Sequence, residues 1–153
     1  MKLRLMKLVV CLSSAALVTL TPLASADSTL LPSVKMQGGV RYVTGGIGEN
    51  EAAAFKDAAS RYPLELLFAE NARPKDAYIA DVRVNIWDRS GNSLLHTKTE
   101  GPFLLAALPD GTYQIEAEYR GIRKRQTIQI HAGKHRRAVF VWASQGAQPY
   151  DAS

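Results

Sequence analysis

The sequence contains little that would support thiol, redox or metal chemistry. Its single cysteine, Cys11, lies in an apolar stretch close to the start of the chain, and only three histidines are present. A chain without cysteine beyond that position has no thiol nucleophile, disulfide or cysteine-ligated zinc site there. Its serines also lack the G-x-S-x-G context of a nucleophile elbow. We therefore expect a non-enzymatic protein with no cofactor and no metal.

Long hydrophobic runs are absent as well. The longest mainly apolar stretch covers 13 residues, 8–20, fewer than the roughly 18 to 20 needed to cross a bilayer. An A-x-A cleavage site that ends at Ala26 follows it. Three basic residues precede it, namely Lys2, Arg4 and Lys7. This pattern predicts a signal peptide over residues 1–26, and hence a periplasmic or secreted bacterial protein without a transmembrane anchor after cleavage.

Cys11 leaves one alternative for this segment, a lipoprotein acylation site. The preceding Val10 is larger than the residue usually found before such a cysteine, and most of the apolar stretch follows Cys11 rather than preceding it. Cleavage after Ala26 is therefore the favoured prediction. Since residues 1–26 contain three bases and no acid, cleavage would lower the formal net charge from +5 to +2. The remaining domain is large enough to bury a core without a disulfide or a metal.

The segment after the signal divides into a leader and a helix. Residues 27–40 contain Pro32 and the pair Gly38-Gly39 and show no hydrophobic period, and further glycines follow at 45–48, which predicts a flexible leader and turn over residues 27–48. Over residues 49–62 the apolar residues recur at helical spacing, and Pro63 follows. The stripe consists of Ala52, Phe55, Ala59 and Tyr62. We therefore predict one amphipathic helix over residues 49–62.

The chain beyond Pro63 has the pattern of strands. Apolar and polar residues alternate, most clearly around Val82, Val84 and Ile86, and turn residues separate the runs. The runs cover residues 64–69, 80–87, 93–99, 102–107, 112–119, 122–130 and 136–142. About seven short strands at regular intervals predict a mainly β fold, an antiparallel seven-stranded sandwich over residues 63–143 with a flexible tail over 144–153.

One turn carries a resemblance to a known family. Leu108, Pro109, Gly111 and Tyr113 match an L-P-x-G-x-Y motif, and the chain from about residue 64 to 142 resembles the carboxypeptidase regulatory-like domain. The resemblance implies a transthyretin-like or immunoglobulin-like sandwich that serves as an accessory domain in exported proteins. Pro109 and Gly111 would shape the turn, while Tyr113 would pack inward with its hydroxyl bound to loop backbone, as in a tyrosine corner.

A transthyretin-like hydrolase is a distant alternative within the same resemblance. The related hydroxyisourate hydrolases end in Tyr-Arg-Gly-Ser, whereas here Tyr119-Arg120-Gly121 is internal and is followed by Ile122. The resemblance to that enzyme therefore fails where its chemistry lies.

Two further motifs have structural explanations that we favour. Gly45-Gly46-Ile47-Gly48 precedes the helix, but no lysine follows in the position of a phosphate loop, and Glu49 and Glu51 would repel a phosphate. We expect a turn and no nucleotide. His131 and His135 have the spacing of two metal ligands on a helix, but Gly133 and the flanking strands place them in a loop with no acid nearby in the sequence.

The segment 120–137 is strongly basic. It contains no acid and seven bases, namely Arg120, Arg123, Lys124, Arg125, Lys134, Arg136 and Arg137. A two-residue turn at Arg120-Gly121 would set Glu118 opposite Arg123 and Glu116 opposite Arg125 on an exposed face, which would compensate part of the charge. A residual positive patch around Arg120, Arg136 and Arg137 is expected, with Lys124 directed toward the open end of the sandwich.

These observations predict an exported, non-catalytic sandwich that acts as an accessory or interaction protein of the cell envelope. Its partner would be an envelope protein. The alternative is a module that binds an anionic glycan or lipid headgroup, a polyanion of the envelope, through Arg120, Lys124, Arg136 and Arg137. Nucleic acid is not an expected partner for an exported protein.

Overall fold

A computed structural model describes residues 31–72 and 75–144. The predicted signal peptide and almost all of the predicted tail lie outside these residues. The described chain forms one helix, α1 (Glu49–Ala59), and ten strands. The strands are β1 (Lys35–Gln37), β2 (Val40–Gly45), β3 (Leu64–Asn71), β4 (Ala77–Tyr78), β5 (Arg83–Trp87), β6 (Ser93–Lys98), β7 (Phe103–Ala107), β8 (Gly111–Tyr119), β9 (Ile122–Ile130) and β10 (Arg136–Ala143).

The strands form two sheets packed face to face, so the predicted β-sandwich is confirmed. The first sheet has the order β1-β2-β7-β3-β10, with β4 paired to β3, and the second has the order β6-β5-β8-β9. Alternate residues of both sheets fill the space between them. On the β10 side this core is aromatic, since Phe68 stacks on Phe140 with ring centroids 5.9 Å apart and Trp142 packs beside both.

One pairing departs from the all-antiparallel prediction. β3 and β10 run parallel, with Arg136 aligned with Leu64 and Ala143 with Asn71. These are the first and last of the seven strands predicted from the sequence, so no hairpin constrains their direction and the chain can return in the same sense. The other pairings are antiparallel.

The prediction of a flexible leader over residues 27–48 is wrong for residues 35–45. This segment forms the hairpin β1-β2, and β2 pairs with β7 in the first sheet. Val40 and Tyr42 enter the core between the sheets, whereas Val43 faces the helix. The glycines at 38 and 39 terminate a strand rather than mark a mobile region, since both have positive φ in the turn that joins β1 to β2.

Helix α1 lies on the outer face of the first sheet. Phe55 is fully buried there and stacks on Phe103 with centroids 5.6 Å apart. β3 is therefore covered on both faces, by the helix and by the second sheet, which explains its nearly continuous apolar sequence. The helix ends at Ala59 rather than at the predicted residue 62, because the N–H groups of Arg61 and Tyr62 bond to carbonyls three residues back.

The turn motif behaves as predicted. Tyr113 is buried, and its hydroxyl donates a hydrogen bond of 2.8 Å to the carbonyl oxygen of Pro109. Its core cluster draws residues from both sheets, among them Val82, Val84, Ile86, Leu108, Ile115, Ile128, Phe140 and Trp142. Burial raises the pKa of the Tyr113 hydroxyl above its ordinary value, as expected for a phenol that is removed from water.

Candidate anion-binding surface

The hairpin that carries most of the basic segment joins β8 to β9 in the predicted register. Tyr119 pairs with Ile122, Glu118 with Arg123 and Glu116 with Arg125. Arg120 and Gly121 both have positive φ, 49° and 79°, which two-residue turns of type I′ require. The predicted turn and register are confirmed.

Two of the cations are neutralised across this hairpin. Arg123 Nε lies 2.7 Å from Glu118 Oε2, and Arg125 Nε lies 2.6 Å from Glu116 Oε2. The hydrogen bond from Arg123 holds the pKa of the Glu118 carboxyl below its ordinary value, with Arg83 on β5 contributing a second bond. These arginines are therefore occupied by acids of the same sheet.

The structure does not gather the predicted positive patch into one site. Arg120 Nη1 lies 3.4 Å from Glu70, and Arg137 Nε lies 3.4 Å from Glu65. The two acids are five residues apart on β3, which separates them by about 16 Å at 3.3 Å per residue. Arg120 and Arg137 thus lie toward opposite ends of the sandwich, each beside an acid that the sequence does not place near it.

Lys124 and Arg136 differ from these arginines. Neither makes an ion pair with any residue in the described ranges. Lys124 is half-buried on the inner side of β9, as its alternation with Ile128 predicts. Arg136 is exposed at the start of β10, where its backbone N–H donates to the Pro63 carbonyl oxygen. Of the four predicted anion-binding residues, these two keep an uncompensated charge.

Glu65 is a buried acid that the sequence pattern did not single out as part of a site. It is 5% exposed, and its carboxylate contacts His135 Nε2 at 3.0 Å as well as Arg137. His135 Nδ1 lies 2.9 Å from the Tyr62 carbonyl oxygen. Because that oxygen only accepts, Nδ1 is the donor in this hydrogen bond.

The predicted loop position of His131 and His135 is confirmed, but His135 has an acid partner, Glu65, that lies far away in the sequence. An acid inside the apolar run that forms β3 was the available signal, since a buried carboxylate needs a partner. No cluster of three or more potential metal-ligating side chains occurs in the described part of the chain.

The glycine-rich turn before the helix also has a structural role. Glu51 Oε1 accepts a hydrogen bond of 2.6 Å from the N–H of Gly46. The backbone of Gly101 approaches this turn so closely that a Cβ on Gly101 would lie 2.2 Å from the Gly45 carbonyl oxygen. The backbone donor that a phosphate loop would offer is therefore taken by a carboxylate of the same chain.

The strands β9 and β10 leave one side of the sandwich open. Counting from the hairpin, Arg123, Arg125, Thr127 and Gln129 direct their backbone groups away from β8. On β10 the N–H of Arg136 bonds toward β3, so the backbone groups of Arg137, Val139, Val141 and Ala143 face outward. Neither edge pairs with another strand of the described chain.

Only two side-chain bonds that the structure describes cross this open side. Gln126 Nε2 donates to the Val139 carbonyl at 2.8 Å, and Trp142 Nε1 donates to the Ile122 carbonyl at 3.0 Å. Between the edges lies a shallow groove of about 360 Å³. It is lined by Lys124, Arg125, Gln126, Val139, Phe140 and Val141. The groove thus combines apolar walls with a cation that has no described acid partner.

A larger groove of about 700 Å³ lies near the tip of the β8-β9 hairpin and includes Arg120. Its charges are mostly paired, because Lys98 contacts Asp81 at 2.7 Å and Arg83 contacts Glu118 at 2.9 Å. Mixed, internally balanced charge does not favour an anion there.

Comparisons with known proteins leave the family open. No family model matches the chain, and no curated protein gives a significant match. Among solved structures, the Bacillus anthracis TIE protein matches 53% of this chain at 14% identity with a TM-score of 0.36. The match spans 16% of that protein's chain. The fold assignment therefore rests on the sheets described above. No helix among the described residues is long and apolar enough to span a membrane.

Proposed function

We propose that this protein is an exported, non-catalytic accessory domain of the cell envelope that acts by binding another protein. It would be a carboxypeptidase regulatory-like, transthyretin-like sandwich. The L-P-x-G-x-Y motif supports this family, because Pro109 and Tyr113 form the corner contact that the motif implies. The basic, apolar and A-x-A segments before Asp27 support export.

The main observation in support of an interaction role is the open side formed by β9 and β10. Strand edges with free backbone groups are where sheet proteins bind extended segments of other chains. Of the two grooves that adjoin the β8-β9 hairpin, the larger is lined by charges that are mostly paired already. The proposed partner is therefore an envelope protein that contacts the open side.

Export and binding are tested separately. Expression of the full chain with a C-terminal tag, followed by cell fractionation and intact mass measurement, should give a periplasmic or released species that begins at Asp27. A species that retains residues 1–26, or one that carries a lipid on Cys11, contradicts the proposed export. Chemical crosslinking of the mature protein in envelope extract should then map contacts to lysines near the open side, such as Lys124.

A polyanion is the second candidate partner, and one observation favours it. Lys124, Lys134 and Arg136 have no acid partner among the described residues, whereas four arginines of the same segment do. Retention of the mature protein on anionic vesicles or envelope polysaccharide should fall steeply with salt if this candidate is correct, because such binding is electrostatic. Retention that is equal at low and high salt contradicts it.

A further inference from the structure

We infer that the free edge of β10 binds an extended peptide in which apolar and acidic residues alternate, by adding that peptide as a strand to the first sheet. This inference rests on the proposed function, since it specifies the surface and the chemistry of the partner. Three features of the open side carry it: the backbone groups of β10, the side chains on each side of its edge, and the sign of the surrounding charge.

The backbone of β10 offers a regular ladder. The outward N–H and C=O groups recur at Arg137, Val139, Val141 and Ala143, and the strand is eight residues long. The described chain uses one of them, the Val139 carbonyl, through the side chain of Gln126. An added strand would replace that single side-chain bond with several main-chain bonds, which is how β-augmentation obtains affinity.

Side chains beside the edge differ on the two faces of the sheet. The outer face presents Val139, which is 42% exposed, and the half-buried Val141. The inner side faces the groove with the half-buried Lys124 and with Gln126. Since residues of an added strand alternate between these faces, its apolar residues would contact the valines and its acidic residues would contact Lys124.

Charge selects an acidic partner over a second copy of this chain. Residues 120–144 contain no acid, so both strands and the loop of the open side are basic. Pairing of β10 with β10 of another copy about a two-fold axis would bring Lys124 and Arg125 of each copy together, because Gln126 lies beside Val139. Like charges in that position oppose self-association.

The binding test uses a synthetic peptide of about eight residues that alternates valine and glutamate. Amide spectra of isotope-labelled mature protein should show the N–H signals of Val139 and Val141 shifting, with slower hydrogen exchange, while those of β6 stay unchanged. A peptide of the same sequence in which every amide is N-methylated retains the charge but cannot donate to the ladder from either edge. It should not bind. Equal binding of both peptides overturns the inference.

Variants of the protein test the two faces. Lys124→Gln should weaken binding about fivefold, whereas Lys98→Gln, which makes the same charge change on β6, should leave it unchanged. Val139→Pro removes an outward N–H that β3 does not use and should abolish binding. Gln126→Ala frees the Val139 carbonyl and should retain or strengthen binding even if Val139→Pro fails to fold. Loss of binding in Gln126→Ala contradicts the proposed geometry.

The same experiments can also identify two other occupants of the open side, an anionic lipid surface and a second copy of this chain. Vesicles with anionic headgroups that bind more weakly to Lys124→Gln but equally to Val139→Pro would show a charged surface without strand addition, and would overturn the inference. Sedimentation that shows a dimer broken by Val139→Pro would identify a second copy as the occupant, with the same consequence. An envelope partner whose crosslinks avoid β9 and β10 would refute this surface, while it would still support a protein-binding role elsewhere on the domain.

Discussion

The two lateral sides of the sandwich are closed in different ways. On the β6 side the hairpin β1-β2 extends the first sheet until it meets the second, and the Gln37 side chain accepts a 3.1 Å hydrogen bond from the N–H of His96. Gly38 packs so closely there that a Cβ would lie 2.3 Å from the Leu94 carbonyl oxygen. On the β10 side no such hairpin is present in the described chain. The β6 side is closed by the close approach of the Gly38 and Leu94 backbones and the Gln37 bond, and the β10 side by two side-chain bonds.

This difference determines which strand edges are covered and which can still bind another strand. An unpaired edge is an aggregation hazard unless it is covered, short or charged. The β6 edge is covered, and Lys35 and Glu100 add an ion pair near that side. The β9 and β10 edges are instead long and basic, which discourages pairing with like edges while it leaves the backbone accessible. The basic charge of the open side thus opposes pairing with the same edge of another copy, while its backbone groups remain available to an acidic segment.

The largest effect is expected for Trp142, which lies on β10 at the open side. Trp142→Ala should lower the free energy of unfolding by about 4 kcal/mol, because Trp142 is 1% exposed and packs on Phe68, Phe140 and Tyr119. Trp142→Phe should cost about 1 to 2 kcal/mol, since an aromatic ring remains but part of the indole and its bond to the Ile122 carbonyl are lost. Urea denaturation measures both. Equal costs would assign Trp142 mainly to hydrogen bonding rather than to packing.

A smaller effect tests the closed side. Gly38→Ala should destabilise the protein by about 3 kcal/mol, since it combines a clash with the Leu94 backbone and a residue at φ 54°. Gly39→Ala is the matched control, because it has φ 79° but no atom within 4 Å of its Cβ. That variant should cost about 1 kcal/mol. Equal denaturation midpoints for the two variants would show that β1 does not approach β6 closely, and would remove the distinction between the sides.

The sequence predicts the seven strands well and the closed side poorly. The runs that predict β8 and β9 are specified by alternation and by a turn that only one register satisfies, so Glu118 and Arg123 were placed correctly. β2 is six residues long, and its burial comes from contacts with β7 and the helix rather than from a regular period. The glycines that flank it also resemble those of a flexible segment.

The site could be predicted only in part for a similar reason. Charges within one hairpin follow from register, so the ion pairs of Arg123 and Arg125 were predictable. Arg120 and Arg137 find Glu70 and Glu65 on β3, which lies far away in the sequence. The parallel pairing of β3 with β10 creates the second contact, and no local pattern specifies it.

A modest effect is expected for the charge pairs that reduce the basic surface. A double-mutant cycle of Glu116→Gln and Arg125→Gln should give a coupling energy of about 0.5 kcal/mol, the size typical of cross-strand ion pairs. The single variant Glu116→Gln should also strengthen retention on anionic vesicles, because it releases Arg125 beside the groove. Zero coupling in the cycle would mean that Arg125 is already free, and would make the open side more basic than described.

The smallest effect is a pH and salt dependence that distinguishes Glu118, an acid paired with arginines across the β8-β9 hairpin and on β5, from Asp88, an acid that accepts neutral hydrogen bonds in the β5-β6 turn. Glu118 and Asp88 both have pKa values below their ordinary values of 4.5 and 3.8, but for different reasons. The bond from Arg123 is the largest cause for Glu118, whereas Asp88 in the β5-β6 turn accepts bonds from the side chain and backbone of Asn92 and from Ser90.

A carboxyl whose pKa is lowered by folding stabilises the protein above its unfolded pKa, and this contribution is lost as pH falls through the folded value. The denaturation midpoint of the wild type should therefore exceed that of Glu118→Gln above about pH 5, and the gap should shrink below about pH 4.5. The same comparison with Asp88→Asn should show its gap shrinking as pH falls through the lowered pKa of Asp88. High salt should reduce the Glu118 gap, because its partners are cations, but not the Asp88 gap, whose partners are neutral. Equal salt sensitivity of the two gaps would contradict the assignment of charge pairing to Glu118 and of neutral hydrogen bonding to Asp88.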